Sequence, residues 1–294
     1  MRILFIGTVE LSLHVLETMI EESAEIVGVV TSNHNDFNSD YADLKTTCVK
    51  NNIPALETND INSDSSINWV KELAPDVVFC IGWSSLLQNR MLEIPPMGVI
   101  GFHPTALPKN RGRHPIIWAL VLGLESTAST FFFMSKEADT GDIIDQKEVL
   151  IDSSDDASSL YEKISKVAKN QIKTILLSLL SGNVKQIPQN NLDSNVWRKR
   201  NSQDGQIDWR MSALSIHNLV RGLTKPYIGA HFFYQEKKYK VWKSRVVAGL
   251  IDNNIEPGKV ITFNNKIPCI MCGKNCIELL EVTPIFIPSK GSYL

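Results

Sequence analysis

Short apolar runs alternate with amphipathic stretches along the first part of the chain. Arg2–Ile6 is one such run, closed by Gly7, and Leu13, Leu16, Met19 and Ile20 then recur at helical spacing. Ile26–Thr31, Asp76–Ile81 and Val99–Phe102 repeat the short apolar signature. Runs apolar on both faces and separated by helical patterns predict βαβ units around a parallel sheet. Pro115–Leu122 predicts a helix with proline in its first turn. Ser129–Met134 and Ile143–Val149 predict two neighbouring strands across the turn 138-ADTGD-142. Ser158–Leu180 predicts a long helix: Leu160, Ile164, Val167, Ile172, Ile175, Leu176 and Leu179 form one stripe, and the acidic start 152-DSSDD-156 suits a helix N-terminus.

The texture then changes. Residues 185–203 are polar and carry no sustained period, which predicts a linker between a domain over 1–184 and a second over 204–294. Ala213–Leu223 predicts a short helix, and HFFY, YKVWKSRVV, GKVITF and CIELLEV, set apart by turns, predict antiparallel β structure. The fold class is therefore α/β, with a mostly parallel sheet first and a smaller β-rich domain after it.

Composition narrows the function. The chain has 294 residues, 43% of them apolar, and a formal net charge of −2. That balance gives no general drive toward nucleic acid or membrane surfaces, so neither is expected as a partner. The start, MRILFIGTVELSLHVLETM, reads as strand and helix rather than a signal peptide, and no apolar run approaches the ~18 residues of a membrane span. A soluble cytoplasmic protein is expected. Five cysteines, an odd number, do not form a secreted disulfide framework. Three lie in 269-CIMCGKNC-276, whose spacing lacks the paired CxxC of a zinc ribbon and spans a predicted hairpin turn at Gly273-Lys274-Asn275. These read as structural thiols, and no metal is expected.

Candidate chemistry collects where polar segments follow the predicted parallel strands, since open α/β sheets bind ligands beyond the carboxyl ends of their strands. These segments are 82-GWSSLL-87, His103 after 99-VIGF-102, and 138-ADTGDI-143. A histidine alone is most simply a core residue. An imidazole paired with a carboxylate is an acid/base couple, because the carboxylate orients the ring and raises its pKa. No GxSxG accompanies it, so a serine nucleophile is not indicated. The first turn, 6-IGTVELSL-13, has one glycine and lacks the GxGxxG of a dinucleotide oxidoreductase.

The motifs 103-HPTALP-108 and 139-DTG-141, with 204-DGQIDWRMSALSIHNLVRGLTKPYIGAHFFY-234 and 240-KVWKSRV-246, make the chain resemble the N10-formyltetrahydrofolate-dependent formyltransferases, above all the sugar-nucleotide N-formyltransferases. The resemblance covers nearly the whole chain. It implies a Rossmann-like catalytic domain and an OB-like C-terminal domain. It implies N10-formyltetrahydrofolate as co-substrate, with Ile81, Gly82, Trp83, Ser84 and Leu86, and the turn residues Asp139, Thr140, Gly141 and Asp142, around the pterin. It implies His103 and Asp139 as catalytic: His103 takes the amine proton or shields the oxyanion, and Asp139 holds and charges the imidazole. A homodimer is compatible with it.

One position departs from the family pattern. The asparagine expected two residues before the histidine, which holds the formyl oxygen in the family, is Gly101 here. Losing one such donor costs ~3 kcal/mol of transition-state stabilisation if nothing replaces it. Asn110 or a backbone N–H of its loop is the replacement considered. For the acceptor, 33-NHNDFNSDYADL-44 contains three aspartates and no lysine or arginine, where the tRNA enzymes carry a basic insertion. That favours a nucleotide-linked amino-deoxysugar, with Phe37, Asn38 and Asp40 facing it and Lys109, Arg111 and Arg113 meeting its phosphates. The remaining alternatives are methionyl-tRNA as acceptor and a folate- or nucleotide-binding protein without chemistry.

Overall fold

The computed structural model describes residues 1–32, 40–249 and 254–294. The chain forms two compact units, one of Met1–Pro115, Thr127–Val149 and Glu162–Trp197, the other of Ile116–Ser126, Leu150–Tyr161 and Arg198–Leu294. The segment 185–203, expected as a linker, is thus divided: its part through Trp197 is built into the first unit.

In chain order the first elements are β1 (Arg2–Gly7), α1 (Glu10–Glu21), β2 (Glu25–Thr31), α2 (Leu44–Lys50), β3 (Ala55–Glu57), α3 (Asp64–Leu73), β4 (Val77–Ile81), α4 (Asn89–Leu92) and β5 (Val99–His103). There follow β6 (Arg111–Gly112), α5 (Pro115–Val121), β7 (Ser126–Phe133), β8 (Ile143–Leu150), α6 (Ala157–Leu180) and β9 (Val196–Trp197). The main sheet runs β3-β2-β1-β4-β5-β7-β8. Its first five strands are parallel and β7 is antiparallel to β5, with His103 opposite Thr130. Leu4, Phe5, Ile6, Val78, Phe79 and Ile100 are fully buried, which is why these strands read as unbroken apolar runs.

The strand order reverses between β1 and β4, the place where such sheets open a crevice at their carboxyl ends. Side-chain hydroxyls tie the two strand ends together. Ser12 Oγ accepts from the Thr8 and Val9 N–H groups and donates to the Ile81 carbonyl at 2.6 Å. Thr8 Oγ1 donates to the Gly82 carbonyl at 2.9 Å. The first turn of α1 thereby satisfies otherwise orphaned N–H groups and braces the loop after β4. Further along the sheet, Gln171 of α6 is buried and bonded to Ser129 of β7 and Asp145 of β8, which fixes the helix on those strands.

The second unit contains α7 (Ala213–Leu223), β10 (Ala230–Tyr234), β11 (Lys237–Val247), β12 (Val260–Asn264), β13 (Ile267–Met271) and β14 (Cys276–Thr283). Its five-stranded antiparallel sheet has the order β10-β11-β14-β13-β12. Ser212 caps α7 through the Ser215 N–H, and the helix buries Ile216, Leu219, Val220 and Leu223 in a core that includes Trp209 and Phe232. The cysteine-bearing hairpin forms as its turn predicts, with Met271 opposite Cys276. Alternation sends Cys272 into this core and Cys269 and Cys276 into a separate apolar cluster. Burial pushes the Cys269 and Cys272 thiols up to about 12, so both stay protonated at neutral pH.

Candidate active site

β5 ends on His103, which places the imidazole at the carboxyl edge of the sheet. The residue is only 5% exposed. Its Nε2 lies 2.9 Å from the carbonyl oxygen of Asn110. A carbonyl only accepts, so Nε2 carries the hydrogen, and Nδ1 is the nitrogen left for acid/base work. Nδ1 faces Asp139 Oδ1 at 3.9 Å. That is ion-pair reach but not a direct hydrogen bond. The carboxylate is held independently: Asp139 Oδ2 accepts from the Gly112 N–H at 2.9 Å. The two side chains, 36 residues apart in sequence, come within ion-pair reach of each other.

The Asp139 turn is shaped by its neighbours. Gly141 packs against the end of β7 so closely that a Cβ there would lie 1.7 Å from the Phe133 carbonyl oxygen. The Phe133 N–H donates to the Asp142 carbonyl, and Thr140 Oγ1 donates to the Glu137 carbonyl. Gln189 closes the turn from outside: its Nε2 donates to the carbonyls of Asp139 and Gly141 at 3.0 and 2.7 Å.

The other expected site residues are distributed unevenly. Ile81 is fully buried in the sheet and Trp83 packs against the apolar cluster beside β4, whereas Leu86 stands 61% exposed. The loop carrying them is tied down by Asn62, which bonds Leu86 O and Gln88 N, and by Arg113, which donates to Ser84 O at 2.7 Å. Lys109 and Arg113 are exposed beside the imidazole loop. Arg111 is not: it is 6% exposed and donates to Gln189 Oε1 and Asn191 Oδ1. The expectation that it meets substrate phosphate is corrected, because the residue is buried and its Nε and Nη2 are bonded inside the chain. Asp40 is half-buried, and its carbonyl accepts from the Glu10 N–H. Phe37 and Asn38 lie outside the described residues.

The missing family asparagine has a packing counterpart. A Cβ on Gly101 would meet Met134 Cγ at 2.8 Å and Phe132 Cζ at 3.1 Å, so the space a longer side chain needs is filled. Gly101→Asn is expected to destabilise the fold by about 1–3 kcal/mol through overpacking. The loss should shrink in a Met134→Ala background, which urea unfolding of the four proteins of that cycle would show. Of the two replacements considered, the backbone one finds no donor among residues 109–113. The N–H groups of Lys109 through Arg113 all donate within the chain, to Ala106 O, Asn195 Oδ1, Asn195 O, Asp139 Oδ2 and Trp197 O. Asn110 itself is half-buried with φ +64°, a backbone that Asn tolerates better than most residues.

Nothing in the sequence pattern marks Gln189, Asn195 or Met134. The first two sit in the polar segment without periodicity, and Met134 reads simply as the end of a strand. Elsewhere, a depression of about 650 Å³ opens beside Lys71, Asp76, Arg90, Glu93 and Pro96. It lies at the amino ends of β4 and β5, the opposite edge from His103, and mixes both signs of charge. Among the described residues there is no cluster of three or more His, Cys, Asp or Glu able to hold a metal, and no helix long and apolar enough to cross a membrane.

Comparison with known proteins fits this geometry. The Formyl transferase family matches residues 1–176, and its C-terminal domain matches residues 199–285. Methionyl-tRNA formyltransferase of Caldanaerobacter subterraneus subsp. tengcongensis is 31% identical over 289 residues, covering 96% of this chain and 92% of that protein. The bifunctional polymyxin resistance protein ArnA of Wigglesworthia glossinidia brevipalpis is also 31% identical, over 90% of this chain but 40% of its own length. Among solved structures, WlaRD, a sugar 3N-formyl transferase crystallised with dTDP and 5-N-formyl-THF, superposes with a TM-score of 0.74 at 18% identity, covering 97% of this chain and 99% of that one. The tRNA relatives remove the ground for excluding nucleic acid, and the charge distribution gives the physical reason. The net −2 conceals a segment, 198–294, with 15 Lys and Arg against 7 Asp and Glu. Charge asymmetry of this kind is compatible with a polyanionic partner. With both domains matched along nearly its full length and the imidazole–carboxylate pair in place at the sheet edge, the chain belongs to the formyl transferase family and is an enzyme that transfers formyl groups.

Proposed function

We propose that this chain moves a formyl group from N10-formyltetrahydrofolate to the amine of a nucleotide-linked amino sugar. The observation that carries the chemistry is the His103 ring, held at Nε2 by a backbone carbonyl and facing Asp139 with Nδ1. What the folate supplies is an activated formyl group on N10. His103 Nδ1 takes the proton that the acceptor amine must lose and returns it to the departing nitrogen. Asp139 stabilises the imidazolium between those two moments, at a distance that leaves the ring able to release its proton. The Asn110 side chain, on the loop beside the ring, is the group assigned to the developing oxyanion in place of the absent asparagine.

The folate fits the residues at hand. Leu86 offers an exposed apolar wall on a loop tied at both ends, the kind of rigid, mainly apolar surface on which a flat ring stacks. Trp83 and Ser84 stand on the same loop, Gly82 begins it with φ +64°, and the turn Asp139–Asp142 is assigned to the other side of the ring. Ile81 contributes through the strand it ends. For the acceptor, Lys109 and Arg113 are the exposed cations beside the imidazole loop, suited to a diphosphate, and Asp40 suits an ammonium group. Support for a sugar nucleotide also comes from WlaRD, whose crystals contained dTDP.

A second reading, methionyl-tRNA as acceptor, is favoured by the basic 198–294 segment and by the 31% identical relative. The two separate in one assay. Purified protein with formyl-tetrahydrofolate is offered dTDP-, UDP- and GDP-linked amino sugars in parallel with methionyl-tRNA. Formylation of a sugar nucleotide, weakened at least tenfold by Arg113→Ala chiefly through KM, is the expected result. Transfer to methionyl-tRNA alone would overturn the choice of acceptor.

A further inference from the structure

The segment 189–197 contains no residue that reads as catalytic, yet it touches the supports of both acid/base groups. Its start holds the carboxylate side. Gln189 accepts from the buried Arg111 guanidinium through Oε1 and donates both hydrogens of its amide nitrogen to the carbonyls of Asp139 and Gly141. Its end holds the imidazole side. Asn195 Oδ1 accepts from the Asn110 N–H at 2.8 Å, and the carbonyl of that same Asn110 fixes His103 Nε2. Between the two sides lies the short parallel pairing of β6 with β9, Arg111 opposite Val196 and Gly112 opposite Trp197.

That pairing has a directional consequence. In extended chain, successive N–H groups point to opposite sides. The N–H groups of Arg111 and Arg113 donate to Asn195 O and Trp197 O, both at 3.1 Å, so the Gly112 N–H between them is turned away from β9 and onto Asp139 Oδ2. The two-residue strand is therefore an aiming device: one edge is fastened to β9, the other delivers a hydrogen bond to the catalytic carboxylate. Only glycine fits there, because a Cβ on Gly112 would lie 2.3 Å from the Trp197 carbonyl oxygen and its φ is +105°.

We propose that residues 189–197 form a clamp that sets the His103–Asp139 geometry, with Gln189 and Asn195 as its positioning residues. The proposal rests on the assignment of His103 and Asp139 made above. Neither clamp side chain acts on substrate. Each sets the placement of a group that does, and misplacement by about an ångström is enough to cost ~10²-fold in rate.

Two substitutions separate this role from plain structural support. Gln189→Glu keeps an acceptor for Arg111 but loses both donors to the Asp139 turn. The clamp predicts that kcat of the folded protein falls by roughly 10–100-fold, with KM within about twofold, in addition to the modest fall in melting temperature that two carbonyls without donors bring. A structural role predicts the lower melting temperature alone, with kcat of the folded protein unchanged. Asn195→Ala removes the acceptor for the Asn110 N–H, whereas Asn195→Asp retains it. In ¹⁵N-histidine-labelled full-length protein, the His103 ring should show the Nε2–H tautomer in the wild type and in Asn195→Asp, and a mixture of tautomers in Asn195→Ala. This spectrum needs no acceptor substrate. Wild-type ring signals in Asn195→Ala together with wild-type kcat in Gln189→Glu, while His103→Ala is inactive, overturn the clamp alone. A fully active His103→Ala overturns the assignment beneath it.

Discussion

Replacing His103 with alanine is expected to lower formyl transfer by roughly 10²–10⁴-fold, the usual worth of a positioned acid/base group. The loss should fall on kcat, because the ring is only 5% exposed and contributes little binding surface. The protein should remain folded. The substitution deletes one hydrogen bond to Asn110 O and leaves that carbonyl without its donor, a cost of about 1–3 kcal/mol. Circular dichroism and an unfolding curve beside the kinetics distinguish lost chemistry from lost structure. His103→Asn offers a nitrogen donor in a smaller side chain. It should recover part of the stability and none of the rate.

The second large effect is expected where no functional group is touched. Gly141→Ala puts a methyl group 1.7 Å from the Phe133 carbonyl oxygen and 2.8 Å from its carbon, both backbone atoms that cannot swing aside. Either β7 and the turn separate, breaking the bond from Phe133 N–H to Asp142 O, or the turn rebuilds with Asp139 displaced. Destabilisation of about 3 kcal/mol or more is expected, at the upper end for overpacking. Formyl transfer should fall even in the fraction that stays folded. Urea unfolding midpoints and kcat measured well below the midpoint check the two parts separately. A variant as stable and as active as wild type would show that the turn is looser than this packing allows.

The contrast between those two positions shows what a sequence discloses here and what it does not. His103 and Asp139 are legible because each ends or follows an apolar run and each sits in a specific local motif. The strands β1, β2, β4 and β5 are legible for a related reason, since burial leaves a continuous apolar signature, whereas β7 shows it only at Phe131–Phe133 and begins in Ser and Thr residues that carry no such mark. Helices α6 and α7 are equally plain from their stripes. In contrast, α3 buries little beyond Ile67 and Val70 in a polar stretch, and its most specific mark is the Ser63 cap. β6 and β9 have two residues each and pair across 85 positions, far too short for any period. Arg111 looks like a phosphate ligand in sequence because a guanidinium among turn residues is usually solvent-facing. Only the fold shows that amides from 189 and 191 satisfy it in a buried position. Nor could Gly101 be understood from sequence alone, since the atoms filling its side-chain space come from the neighbouring antiparallel strand.

The domain division is another case where packing decides. Polar residues 185–203 look like a spacer, yet the part through Trp197 is fastened by backbone and amide bonds to the loop that carries the imidazole's anchor. Polarity there reflects hydrogen-bonding work inside the unit.

The central claim is that His103 and Asp139 act as one unit in formyl transfer. The most direct measurement is kcat for wild type, His103→Ala, Asp139→Asn and the double variant, all with the same formyl donor and acceptor. Groups that work together lose their effects together. The double variant should therefore be no slower than His103→Ala within about twofold. Independent losses that multiply in the double variant would contradict the account.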